Sequence, residues 1–410
     1  MFDLAVIGAG AAGIALTKLA LKNKLKVVLI EKDPSAFGGT CINRGCIPTK
    51  FLLNSSHYSQ DWETLVSQKD ALIKKIKEPL LAFLEKNGIQ ILWGRAAFVD
   101  EHTLSVDGKI INAKNIVIAT GSSPRQIIQS DNALAGEEFL ARPSLPSNAL
   151  IVGAGYIGIE FATLLNSFKR TVTVIEKEDR ILPFMDSGLA QRLSLVLQKK
   201  GIKIATSADA SKVDPNSFDL VVTSVGRTAN IDALALDKAG VVIERGFIKV
   251  DSRMRTNTSH IYACGDANGR KMLAYVAEYQ AYVCLANIMG QETHEDYAGI
   301  AECVFSIPQI AKVGMLIDEA KQKNLKVKVI QSNFFKYSSA YVYEDTEGFM
   351  QVVLGEDDTL LGAAIISNKA SELISVFSLA IRKKLKLSDL QSCFFIHPTL
   401  SEIIPSLLRG

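Results

Sequence analysis

Two stretches of this chain follow one pattern: DLAVIGAGAAGIALTKLALKNKLKVVLIE at residues 3–31 and ALIVGAGYIGIEFATLLNSFKRTVTVIE at 149–176. Each runs an apolar strand into Gly-x-Gly-x-x-Gly and continues as a helix with apolar positions three to four apart. Each then ends in a second apolar strand closed by a glutamate. In the first copy Gly8, Gly10 and Gly13 lead to Glu31; in the second Gly153, Gly155 and Gly158 lead to Glu176, an offset of 23 residues both times. The first glycine permits a tight turn, the second lets a pyrophosphate approach the backbone, and the third lets helix pack on strand. Helix N-terminal amides face the phosphates, and the acidic residue accepts from ribose hydroxyls. A single glycine triplet is weak, but two complete βαβ units with matched spacing predict an α/β protein that binds two dinucleotides. Glu31 and Glu176 favour free ribose hydroxyls over a 2′-phosphate, so the second site is expected to take NAD rather than NADP. Lys177 and Arg180 soften that preference.

With 410 residues, 48% of them hydrophobic, the chain should form two or three domains. A net charge of +3 with dispersed basic residues argues against a nucleic-acid partner. The apolar N-terminus lacks a basic start and carries Asp3, and its glycine pattern has its own explanation. No apolar run approaches the roughly 18 residues of a membrane helix. Six cysteines in a chain of this length are no secreted disulfide framework. A cytoplasmic protein without membrane or nucleic-acid partners is expected.

GGTCINRGCIPTK, residues 38–50, places Cys41 and Cys46 about ten residues after Glu31, near the first nucleotide. They could be chance thiols, a metal clip, a structural bridge or an exchanging pair. Zinc usually takes four ligands with CxxC-like or histidine spacing, and only His57 lies nearby, so no metal is expected. A permanent bridge is disfavoured in a reducing compartment. Thiols on the opening turns of a helix, with Lys50 on the same face, suit thiol–disulfide exchange.

GGTCxNxGCxPxK resembles the active-site signature of the class I pyridine nucleotide–disulfide oxidoreductases. NIVIATGSSPR (115–125), VVTSVGRTAN (221–230), TNTSHIYACGD (256–266) and HPTLSE (397–402) are similar to further family segments in the same order. The resemblance implies two Rossmann-like dinucleotide-binding domains, for FAD and NAD, plus a C-terminal α+β dimerisation domain. It places the FAD domain at 1–144 and 260–297, the NAD domain at 145–259 and the interface domain at 298–410. It implies that Cys41 meets the substrate, that Cys46 lies against the flavin, and that Lys50 and Glu160 pair beside the flavin N5 edge. Gly39, Thr40, Ala96, Thr120, Gly121, Asp266 and Ala274 would join Gly8, Gly10, Gly13, Glu31 and Lys50 around FAD. Asp266 would hold the ribitol. Gly226 and Tyr156 would join the second glycine unit around the nicotinamide nucleotide, and Tyr156 resembles the tyrosine that lids the flavin in glutathione reductases.

Alone, His397 would read as a packed histidine. With Glu402 five residues on, it can be oriented and made more basic, as an acid–base near neutral pH needs. In the family this dyad comes from the partner subunit, so a two-fold homodimer is implied. Gly158, Glu176, EDRILPFMD (178–186) and a C-terminus without an extra cysteine pair resemble the dihydrolipoamide dehydrogenase branch. Its substrate would be a lipoylated protein or a small dithiol. An NAD(P)H-dependent reductase of another disulfide is the alternative, and an idle flavoprotein scaffold a third reading. The chain departs from the family in its shortness and in Tyr275, Ala281 and Phe395. Cys264, Cys284, Cys303 and Cys393 lie in apolar surroundings and read as buried thiols.

Overall fold

The computed structural model describes residues 1–409. Strand Phe2–Ile7 sits between Val27–Glu31 and Lys109–Ile118, all parallel, with Leu4 facing Val27 and Ala5 facing Ile116. Gln90–Trp93 extends the sheet beyond Val27–Glu31, and Ile261–Ala263 pairs with Lys109–Ile118. A parallel sheet must be covered on both faces, and VVLIE is accordingly buried at every position. Helices Ala11–Lys22 and Ala274–Ile288 cover one face through Ala12, Leu16, Ala277 and Ala281. Strands Ala96–Phe98 and Thr103–Val106 cover the other, placing Phe98 and Leu104 against Ile7 and Ile30. Thr103–Val106 pairs antiparallel with the start of Lys109–Ile118, a hairpin turning at Asp107 and Gly108.

The second unit repeats this layout. Asn148–Val152 lies between Thr171–Ile175 and Leu220–Thr223, with Lys203–Ala205 and Ala133–Ala135 at the edges, all parallel. Strand Ala133–Ala135 lies upstream of the expected boundary at 145; its three residues give no periodic signal to read. Residues 229–248, expected within the second unit, instead pack Ala229, Ile231, Leu234, Leu236 and Ile248 onto the first sheet. The cause is a short antiparallel pair, Arg227–Ala229 with Ser122–Pro124, which returns the chain to the first unit.

The third sheet is antiparallel, in the order Ala301–Val304, Gln309–Gly314, Leu360–Ser367, Phe349–Leu354, Lys328–Asn333. MQVVLGEDDTLLGAAII forms two of its strands around a polar turn. Helix Ala370–Arg382 closes that core through Leu373, Ile374 and Phe377. One apolar cluster crosses all three units: Leu52, Trp62 and Leu65, Phe161 and Leu164, then Val304, Ile310 and Ile366. Helix Cys46–Ser55 is thereby wedged against both the second unit and the third sheet. Among the described residues, no helix is long and apolar enough to cross a membrane.

Candidate active site

The two glycine units adopt one geometry. Gly8 and Gly153 turn with φ of +105° and +98°. A Cβ on Gly13 would lie 1.9 Å from Gly8 O, and one on Gly158 equally close to Gly153 O, so only glycine lets helix and strand meet. Glu31 Oε2 accepts from Ala9 N at 2.9 Å, and Glu176 Oε2 from Ala154 N at 2.6 Å. Each carboxylate thus fastens its own glycine turn, a task the fingerprint alone does not disclose. Gly39 presses onto this turn: a Cβ there would lie 2.6 Å from Gly10 Cα. Thr40 follows it on helix Gly39–Asn43. Thr120 Oγ1, beside Gly121, is buried without a hydrogen-bond partner. A close-packed glycine cradle, helix N-terminal amides and an unpartnered hydroxyl together fit a dinucleotide such as FAD. Ala96 is buried at the start of its strand, paired with Val106, and Ala274 opens helix Ala274–Ile288.

The two cysteines do not share a helix. Cys41 lies in the short helix Gly39–Asn43, and Cys46 begins a new helix, Cys46–Ser55. Between them Gly45 fits closely over Thr40, where a Cβ would meet Thr40 O at 3.0 Å. This fold-back brings the thiols into contact, both of them free. The Cys41 thiol hydrogen-bonds the Cys46 sulfur, and this, helped by the charge of Lys50, lowers the Cys46 pKa to about 7. The same hydrogen bond, and burial, push Cys41 far up. Cys46 is therefore the more acidic thiol of the pair.

Lys50, one helical turn after Cys46, reaches across to the second unit, its Nζ 2.6 Å from Glu160 Oε2. Glu160 is buried, and its other oxygen accepts from Phe305 N at 3.0 Å. Lys50 Nζ also lies 4.7 Å from the centre of the Phe305 ring. The ion pair is thus braced by the third sheet, through a residue that sequence reasoning missed.

Asp266 sits in a network equally invisible in the sequence. It accepts from Ser122 Oγ, which itself accepts from Arg227 Nε at 2.7 Å. Arg227 donates to Ser122 O at 2.7 Å and pairs with buried Glu137. Arg227 directly follows Gly226, whose φ is +100° and whose carbonyl accepts from Arg125 N.

His397 Nδ1 lies 2.7 Å from Glu402 Oε2, so that nitrogen donates and the other is left to exchange a proton. His397 is exposed. Among the described residues of one chain, no hydrogen bond or ion pair joins this dyad to Cys41 or Cys46. Tyr156 opens helix Tyr156–Ser167, its ring stacked on Phe184 at 4.1 Å and its hydroxyl donating to Glu302. Of the four remaining cysteines, Cys264 and Cys284 are buried and Cys303 partly so, whereas Cys393 is exposed, contrary to its apolar sequence context. It follows a short helix, its sulfur beside Asp389 O.

The pyridine nucleotide-disulphide oxidoreductase family model matches residues 2–281, and the dimerisation domain of the same family matches residues 300–408. The dihydrolipoyl dehydrogenase of Chlamydia pneumoniae is 35% identical, over 98% of this chain and 95% of its own length. That of Bacillus subtilis is 31% identical, over 98% and 96%. Among solved structures, the Cu(II) complex of the HOCl-induced flavoprotein disulfide reductase RclA from Escherichia coli superposes with a TM-score of 0.95. It shares 25% identity over 100% of this chain and 99% of its own.

Proposed function

The chain belongs to the pyridine nucleotide-disulphide oxidoreductases, as an FAD- and NAD-dependent enzyme, and from that premise we propose that it oxidises a dihydrolipoyl dithiol with NAD⁺ through Cys41 and Cys46. The observation that carries this reading is the contacting pair of free thiols beside the Lys50–Glu160 ion pair. The choice of dithiol rests on the names of the relatives.

In this reading the Cys41–Cys46 disulfide is cleaved while the substrate dithiol closes to its own disulfide. NAD⁺ takes two electrons and one proton as hydride, and the second proton goes to solvent. When bound, FAD supplies the two-electron carriage between thiol pair and nicotinamide. Gly8, Gly10, Gly13, Glu31, Gly39, Thr40, Lys50, Thr120, Gly121 and Ala274 would hold it, with Ala96 at the adenine and Asp266 at the ribitol. The substrate thiolate attacks the Cys41 sulfur, and Cys46 leaves as the thiolate. Cys46 holds the thiolate charge, which Lys50 stabilises. His397 removes the substrate thiol proton, with Glu402 holding its ring. As the family resemblance implies, the dyad acts on the thiols of the partner subunit, and the matched dimerisation domain supports a homodimer. Six scattered cysteines with no disulfide framework support a cytoplasmic location.

The likeness to a flavoprotein disulfide reductase favours a second reading, NAD(P)H-driven reduction of another disulfide. Turnover in both directions tests the two. Fast NAD⁺ reduction by dihydrolipoamide, abolished by Cys46→Ser, supports the first. Brisk NAD(P)H oxidation by another disulfide, with dihydrolipoamide inert, supports the second and refutes the first.

A further inference from the structure

Tyr156 and Glu160 lie one turn apart on helix Tyr156–Ser167 and so project from the same face. Both are fastened to the start of the third sheet. Glu160 accepts from Phe305 N at 3.0 Å, and the Tyr156 hydroxyl donates to Glu302. Glu302 is held in turn by Lys271 Nζ at 2.8 Å. The neighbouring carbonyl, Ala301 O, accepts from the Tyr275 hydroxyl. On its other side the Tyr156 ring is stacked on Phe184, with 7° between planes. Phe184 O accepts from Lys312 Nζ at 2.8 Å. Burial works to raise the Glu302 carboxyl, but the hydrogen bonds from Lys271 and Tyr156 outweigh it, and Glu302 stays ionised. Tyr156, pushed far up chiefly by burial, remains a donor. The ring is therefore clamped at both ends, by stacking and by a charge-assisted hydrogen bond.

The inference rests on the assignment of Gly153–Gly155–Gly158 to the nicotinamide dinucleotide and of Lys50–Glu160 to the flavin edge. A dinucleotide whose pyrophosphate sits at the N-terminus of this helix must pass along the face carrying Tyr156 to reach Glu160, one turn further on. We propose that Glu302 is a positioning residue, a latch that holds Tyr156 across the path of the nicotinamide ring. Binding of NAD⁺ then requires the Tyr156–Glu302 hydrogen bond to open. ADP-ribose, which has the same pyrophosphate but no nicotinamide, needs no opening.

Isothermal titration of the flavin-loaded dimer with NAD⁺ and with ADP-ribose tests the latch without turnover. Tyr156→Phe removes one hydroxyl, and Glu302→Ala removes the acceptor. Each is expected to tighten NAD⁺ three- to tenfold and to leave ADP-ribose within twofold. The double variant should bind NAD⁺ no more tightly than the better single one. If Glu302→Ala fails to fold, with Lys271 left unpaired, Tyr156→Phe carries the test alone. Stopped-flow reduction of the flavin by dihydrolipoamide should move less than twofold in Glu302→Ala, which separates a latch from general loosening. Equal shifts for both ligands, additive single effects or unmoved NAD⁺ affinity would overturn the latch while leaving the assignment of the nucleotide site intact. Absence of NAD⁺ binding by the unsubstituted protein would overturn both.

Discussion

The acidity of Cys46 is set first by its neighbour. Its pKa falls from 9.0 to about 7, with the hydrogen bond from Cys41 the largest cause and Lys50 the next favourable one. Cys41→Ala removes the donor and leaves burial, which outweighs the lysine, so the midpoint should climb back to about 9. At pH 7 the thiolate fraction then falls from about one half to about 1%, roughly fiftyfold. Alkylation falls less than that. Intrinsic nucleophilicity rises with pKa, by roughly six- to tenfold over two units, so the rate at pH 7 drops only about five- to eightfold. The pH midpoint is therefore the sharper readout than the rate at any one pH. The assay is iodoacetamide alkylation of the reduced holoenzyme across pH 5–10, with the Cys46 peptide quantified by mass spectrometry so that exposed Cys393 does not intrude. A midpoint that stays near 7 in Cys41→Ala but rises in Lys50→Met would refute the reasoning and make the lysine the dominant influence.

Glu160→Ala strips Lys50 of its partner and Phe305 N of its acceptor, and should cost about 2–3 kcal/mol in urea unfolding. Glu160→Gln, which can still accept from Phe305 N, should cost less. Arg227→Met leaves Glu137 buried without a cation; we expect a loss of about 3 kcal/mol, together with weaker FAD retention in equilibrium dialysis as Ser122 and Asp266 lose their anchor. If His397 serves the thiols of the partner subunit, refolding His397→Gln and Cys46→Ser chains together should restore about a quarter of unsubstituted activity. Half the dimers are then mixed, each with one intact site. No recovery above the separate variants would place the dyad and the thiols in the same chain.

The glycine units were legible because everything that defines them is local: a strand, a turn and a helix within thirty residues, with side chains dictated by backbone clearance. The same holds for His397 and Glu402, five residues apart. What was hidden is what folding joins across long separations. Arg227 stands in the open in SVGRTAN, yet its partners Ser122 and Glu137 lie about a hundred residues upstream. Phe305 acts through its backbone amide, which no side-chain pattern advertises. Glu302, a charge opening the otherwise apolar stretch ECVF, was the one available hint of a partner across the site. The break between the two cysteine helices follows from the fit of Gly45 against Thr40, which a helical reading of Cys41 to Lys50 passes over. Residues 229–248 went to the first unit because a three-residue strand pair redirected them, and pairs that short leave no periodicity.

The apolar cluster running from Leu52 and Trp62 through Phe161 to Val304 and Ile366 has a consequence for how such a protein can be taken apart. Helix Cys46–Ser55 is buried by contributions from all three units, so no cut between them leaves its apolar face covered. The thiol-bearing helix has no home in any single fragment. The chain should resist being shortened to a stand-alone flavin module, and it should melt as one cooperative body rather than unit by unit. Three architectures that look exchangeable along the sequence are, at this helix, a single indivisible part.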